Sequence, residues 1–169
     1  PLIDDDQAEA VRLASESLDQ YQEKFRLYWL NGMRKKIGIF GAEAADLGLV
    51  EDLLMLMYKH QADYTNTFIS LMNLNQMNQN LVNDGGFKNW LIRWRERLSR
   101  QPQSVKQTEA LMHACNPQVI PRNHLVEEVL ESASNGDMNP FCEFLKALSM
   151  PYEAPKDKKY LLGPDSKYD

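Results

Sequence analysis

The sequence predicts an all-α protein, an irregular bundle of about seven or eight helices with an extended carboxy-terminal tail. Three observations carry this. Apolar residues recur at steps of three and four through most of the chain, and the alternation of half-buried strands is almost nowhere to be found. Gly and Pro, 8 of each, punctuate the periodic stretches at 38–41, 85–86, 102, 117–121 and 136. A content of 43% hydrophobic and 25% charged residues over 169 positions is that of one soluble globular domain. Such a chain buries roughly two-thirds of the surface its unfolded form exposes. We expect one helical domain over residues 1–150 and a tail over 151–169, with no internal repeat.

Val11, Ala14, Leu18, Tyr21 and Phe25 share one side of a first helix, and Trp29 and Met33 continue the stripe. Asp4, Asp5 and Asp6 are cap candidates at its start. The stripe is one long helix or two broken near 19–22, and it stops at Gly38 and Gly41. Leu49 to Tyr58 is apolar on most sides and belongs deep in the core. Asp63 can cap a short helix through Phe68, Leu71 and Met72. The stretch 73–84 holds five Asn and reads as a loop with a weak helical turn at most.

An amphipathic helix over Phe87 to Gln101 sets Phe87, Trp90, Leu91, Trp94 and Leu98 on one face, with Arg93, Arg97 and Arg100 opposite. Pro102 ends it, and Ser104 opens the next helix, which runs to Cys115. Asn116-Pro117 and Pro121 break the pattern. Arg122 or Asn123 leads into a helix with Leu125, Val126, Val129 and Leu130, closed by Asn135-Gly136. Asp137 or Asn139 caps the last helix, with Pro140 in its first turn and Phe141, Phe144, Leu145 and Leu148 facing inward. Pro151, Pro155, Gly163 and Pro164 mark the tail, which wraps the domain or is loosely held.

Net charge of −5 and a pI near 5.3 argue against a surface built for nucleic acid. The charge is uneven. Residues 1–23 carry a net −6, and residues 88–106 a net +5. The basic stretch reads first as a solvated helix face pairing with carboxylates of the same protein. The competing reading is an independent binding module that uses Arg93, Arg97 and Arg100 to hold an acidic partner. No apolar run approaches the roughly 20 residues that cross a bilayer, so no membrane partner is expected. Two cysteines, Cys115 and Cys142, fit a reducing compartment and read as buried structural thiols. A cytoplasmic, bacterial setting is the expectation.

Chemistry legible in sequence is scarce. His60, His113 and His124 have no metal-ligand spacing with one another or with the cysteines. No Gly-rich phosphate cradle and no Gly-x-Ser-x-Gly elbow is present. The acidic pairs Glu51/Asp52 and Glu127/Glu128 diverge on a helix and make poor acid–base dyads. We therefore assign no catalytic, cofactor-binding or metal residue. Two polar constellations stand out as structural or interface motifs. In the first, Asp63, Tyr64, Thr65, Asn66 and Thr67 precede an apolar helical run, as a helix cap with its Tyr tucked into the core would. In the second, Asn116 and Pro117 open a proline-stiffened connection that closes on Arg122 and Asn123. Arg122 either grips a carboxylate or phosphate with its two-pronged guanidinium or ties loop carbonyls together.

Met33-Arg34-x-Lys36-Ile37-Gly38, Glu51-Asp52-Leu53-Leu54, Ala62 to Phe68, Asn116-Pro117, Arg122-Asn123 and Gly136-Asp137 follow one another here as in the carboxy-terminal part of the selenoprotein O (YdiU-like) family, which the chain resembles to about Tyr152. The opening Pro1 to Asp6 is similar to the segment just after that family's catalytic region. The resemblance implies a protein-kinase-like enzyme, a pseudokinase that moves AMP from ATP to hydroxyl side chains of proteins, with ATP inverted and Mg²⁺ or Mn²⁺ bound. The family's nucleotide, metal and catalytic residues lie upstream, and no position here corresponds to them. The chain would then be a non-catalytic helical module packed beneath or around the kinase-like lobe. Its partners would be that lobe and, through it, protein substrates. Two departures stand out: Ile69 occupies a position where the family pattern leads to Arg, and 163–169 lack the terminal Cys or selenocysteine of many members.

Overall fold

The computed structural model describes residues 3–163, and the expectations for Pro1, Leu2 and 164–169 lie outside that range. It is all-α, with eight α-helices, two short 3-10 turns and no strand among the described residues. Helix α1 (Gln7–Lys36) is a single helix of 30 residues, about 45 Å long at 1.5 Å per residue. The break considered near 19–22 does not occur, because no residue there stops a helix. Asp6 caps α1 by accepting from the Ala8 amide at 2.8 Å. The stop is Gly38, whose φ of +74° favours glycine, and a Cβ there would lie 2.6 Å from the Thr108 methyl.

Helix α2 (Asp46–Lys59) turns Leu49, Val50, Leu53 and Met57 into the core, but its far side carries the exposed Met55 and Tyr58, so the segment is less deeply set than its composition implies. Helix α3 (Tyr64–Ser70) follows, capped by Asp63 as expected. The Asn-rich stretch corrects the loop expectation. Asn73 caps a 3-10 turn (Leu74–Gln76) and Asn78 caps α4 (Gln79–Asn83), so the asparagines close successive turns that drive Met77 and Leu81 into the core.

Helix α5 (Gly85–Ser99) is the central element. Phe87, Trp90 and Trp94 stack along it at centroid distances of 5.6 and 5.5 Å. Their burial is affordable because both indoles are satisfied: Trp90 Nε1 donates to Leu49 O at 2.7 Å and Trp94 Nε1 to Ile37 O at 2.9 Å. Helix α6 (Val105–Cys115) starts at a reciprocal capping box between Ser104 and Gln107. These elements, with the last turns of α1, enclose the first core.

Helices α7 (Asn123–Ser134) and α8 (Asn139–Leu148) form a second, smaller core around Val119, Leu125, Val129 and Phe144. Gly136, at φ +94°, makes the turn between them. Asp137 accepts from the Asn139 amide, but the residue at the cap position is Met138. Leu145, expected to face inward, is half-exposed, as is Leu130. The tail wraps this pair. Its 3-10 turn (Lys158–Leu161) buries Tyr160, whose ring stacks on Phe144 at 5.4 Å.

Two expectations about exposure are corrected, one for an arginine and one for the cysteines. Arg97 is not on the solvent face of α5: it is 4% exposed, because seven residues after Trp90 is nearly two full turns along the same side. Cys142 is exposed, lying across α8 from Phe144, and Cys115 is half-buried. Arg97 is tolerated inside because Asp46, 0% exposed, accepts from its Nε at 2.7 Å and from Arg34 Nε at 2.6 Å. The Glu43 amide adds a third bond at 2.9 Å. Burial pushes the Asp46 pKa up, but the bonds from Arg97, the Glu43 amide and Arg34 together outweigh it and hold the carboxyl below its ordinary value. Replacing Asp46 by Ala strands two buried guanidinium groups. We expect a loss of about 3–5 kcal/mol in urea unfolding, far more than for the exposed Asp52→Ala, measured in parallel.

Candidate functional site

The two polar constellations, Asp63 to Thr67 and Asn116 to Asn123, are far apart in sequence and are brought together at the junction of the two cores. Asp63 sits at the start of α3 with its Oδ1 accepting from the Asn66 amide at 2.7 Å. The same carboxylate takes both prongs of Arg122, from Nη1 to Oδ2 at 2.5 Å and from Nη2 to Oδ1 at 3.1 Å. Nη2 also donates to Asn66 Oδ1 at 3.3 Å. Of the two readings left open for Arg122, the carboxylate fork is the one realised. Asn66 turns its amide nitrogen to Leu161 O at 2.9 Å, which ties the tail to the same cluster. Thr67, buried, donates back to Asp63 O at 2.7 Å, Thr65 is half-buried, and Asn123 is an exposed residue in the first turn of α7.

Asn116 is 2% exposed where α6 ends ahead of Pro117. Its side-chain nitrogen donates to Lys36 O at 2.8 Å and to Met112 O at 2.9 Å, while its Oδ1 accepts from Lys36 Nζ at 3.2 Å. Lys36 in turn lies over the rings of Tyr64 and Phe68, 5.7 and 5.1 Å from their centroids. Lys36 therefore couples the second constellation to the first. Tyr64 is not tucked into the core: it is half-exposed, its ring edge-on to Phe68, with its hydroxyl donating to Met33 Sδ at 3.5 Å. Partial burial raises the Tyr64 pKa and lowers that of Lys36. For Asp63, burial acts to raise the pKa, but Arg122 and the Asn66 amide prevail and lower it.

Beside the cluster, an open depression of about 1070 Å³ runs between the end of α2, Tyr64 and α4. Its charged groups face one another. Lys59 Nζ donates to Asp84 Oδ2 at 2.7 Å, and His60 Nε2 lies 3.0 Å from the same oxygen. Those contacts, with the Phe87 and Gly86 amides, hold the Asp84 carboxyl well below the usual carboxylate range. No group of three or more His, Cys, Asp or Glu placed to hold a metal ion occurs among the described residues. Asp46 and Asp84 were missed as sequence features because each reads as an ordinary acidic residue at a helix start. Lys36 was visible only as part of the family-like Met33 to Gly38 string.

The basic face is likewise committed internally. Arg93 donates to Asp52 at 2.7 Å, Arg97 to Asp46, and Arg100 to Glu43 at 2.8 Å. These carboxylates come from α2 and the segment before it, not from Asp4 to Asp6. No helix among the described residues is long and apolar enough to cross a membrane.

Fold and site together define an all-helical unit in which the buried Arg34, Arg97 and Arg122 pair with carboxylates of the same chain. A family profile described as Protein adenylyltransferase SelO matches residues 8–149. The chain is 45% identical over 166 residues to Protein nucleotidyltransferase YdiU of Halalkalibacterium halodurans, covering 97% of this chain and 34% of that protein. The protein of the same name from Pelagibacter ubique is 40% identical over 172 residues, covering 99% and 36%, and that of Geobacillus kaustophilus 41% over 162 residues, covering 95% and 34%. The chain belongs to the SelO/YdiU nucleotidyltransferase family. It spans about a third of the length of the curated relatives it matches.

The fork is open to a direct test. Arg122→Lys keeps the charge but loses the second prong, so we expect a loss of about 1–2 kcal/mol. Because folding lowers the Asp63 pKa, its contribution is full above the unfolded carboxylate value near pH 4 and is lost as pH falls through the lower folded value. Arg122→Met should therefore flatten the decline in stability below about pH 4. An unaltered acid limb in urea titrations would contradict that role for the pair.

Proposed function

We propose that this chain is the non-catalytic helical module of a cytoplasmic protein adenylyltransferase of the pseudokinase type. In this reading, ATP and Mg²⁺ or Mn²⁺ are held by residues upstream of the chain, and AMP passes to Ser, Thr or Tyr hydroxyls of protein substrates. The module's work is mechanical: it completes and braces the catalytic lobe.

The observation that carries this reading is where the polar groups of the two motifs point. Arg122, a group able to grip phosphate, is closed on Asp63 and Asn66, and Asn116 is closed on Lys36 and the end of α6. Lys59 and His60, the nitrogen groups beside the open depression, both face Asp84. A nucleotide site needs donors aimed at empty space. The two Nη groups of Arg122, the Asn116 amide and the Lys59 ammonium are aimed at protein, and Arg122 Nε is buried without a partner. The competing reading, a basic face for an acidic partner, is weakened by the burial of Arg97 and by the carboxylate beside each of Arg93 and Arg100.

The decisive experiment titrates MgATP and MnATP into the purified 169-residue chain by calorimetry, after circular dichroism has shown it helical. We expect no saturable heat at millimolar nucleotide. Saturable binding in the micromolar range would overturn the proposal and return the search for chemistry to this chain.

A further inference from the structure

Residues 15–28 of α1 are exposed on every side, about four turns of helix with no neighbouring element among the described residues. A helix of that length owes most of its stability to packing of an apolar face. Such a face is present and uncovered. Val11, Leu18, Tyr21, Phe25 and Tyr28 are 60, 70, 63, 54 and 73% exposed, and Ala14 lies among them. Their spacing alternates three and four over 11, 14, 18, 21, 25 and 28, the 3.5-residue period of a coiled-coil seam. The rings of Tyr21 and Phe25 already stack on each other at 6.0 Å. The positions flanking the seam are Ala10, Ser15, Ser17, Gln22 and Lys24. Ala10, Ser15 and Ser17 are small and let a second helix approach closely, and Lys24 is the one charged residue of the five. Arg12 is drawn off the seam by Glu9 and Glu16.

We propose that this stripe of α1 is the seam of a two-helix coiled-coil packing, and that its occupant is an amphipathic helix from the part of the longer protein that lies outside this chain. The proposal rests on the reading of the chain as a module of a longer enzyme. Three observations select this occupant over a second copy. About two-thirds of the length of each matched relative lies outside the aligned stretch, ample to supply a helix. The seam offers roughly 600 Å² of apolar surface per partner, taking large side chains at 150–250 Å² each, at the bottom of the range for a stable free-standing complex, about 1,200–2,000 Å² in total. A covalently attached helix, present at millimolar effective concentration, needs no such area. Finally, flanking charges choose the partner in a free coiled coil. Here they are nearly absent, so the choice falls to covalent connection.

The test is hydroxyl-radical footprinting of the full-length protein, with the internal Phe87, 0% exposed, as the buried reference. We expect Tyr21, Phe25 and Tyr28 to be labelled about as slowly as Phe87, and far more slowly than in the urea-unfolded protein. That protection should be independent of protein concentration. Labelling near the unfolded rate would show the seam bare and overturn the proposal. Protection that disappears on dilution would assign the seam to a second copy and overturn it equally. ATP binding by the 169-residue chain would instead sink the functional reading and leave the footprint unchanged.

Discussion

Asp63 is asked to do three things at once, and the junction of the two cores depends on its doing them. It caps α3 through the Asn66 amide, receives both prongs of Arg122 from the start of α7, and shares Arg122 with Asn66, which holds the tail at Leu161. A helix cap alone is worth about 1 kcal/mol. A carboxylate that also closes a bidentate pair at a partly desolvated junction fixes geometry as well as energy, because both prongs fit only one orientation of α7 relative to α3. Lysine or glutamate at either end would preserve charge and lose that registration.

The first core is organised around a second buried carboxylate. Asp46 lies under Arg34 from α1 and Arg97 from α5, so three helices converge on one group that no solvent reaches. A hydrophobic cluster of the same volume would hold those helices as well or better. What the ionic version adds is discrimination among packings, since a slipped α5 would leave Arg97 buried without its acceptor. The stacked Phe87, Trp90 and Trp94 supply the burial, while the Asp46 pairs and the two satisfied indoles select the register.

How much of this was legible follows from the range of each interaction. Caps, breaks and helix faces are local, and Asp6, Asp63, Ser104, Gly38 and Gly136 act where the sequence places them. The Asn-rich stretch misleads because Asn favours loops and helix caps alike, and only the burial of Met77 and Leu81 distinguishes the two. The two halves of the Asp63–Arg122 pair could each be singled out as unusual, but nothing local says that they meet. Asp46 carries no signal at all: its partners lie 12 and 51 residues away, and an acidic residue at a helix start is commonplace. The Arg97 position was recoverable from helical periodicity, and was obscured by the habit of reading every Arg as solvent-facing.

Helix α1 joins these features into one mechanical element. Its last turns place Arg34 in the Asp46 network and Lys36 between Asn116 and the Tyr64 and Phe68 rings, so both polar clusters grip the same end of one rod. The other end carries the uncovered seam. A continuous hydrogen-bonded helix without Pro is stiff along its axis, and any load taken by the seam reaches the two clusters with little bending. The apolar stripe and the ionic anchors are then complementary: the stripe gives adhesion without orientation, and the anchors give orientation where adhesion is already secured. For a module that braces another lobe, that division places the adaptable contact at the joint and the directional contacts inside the brace.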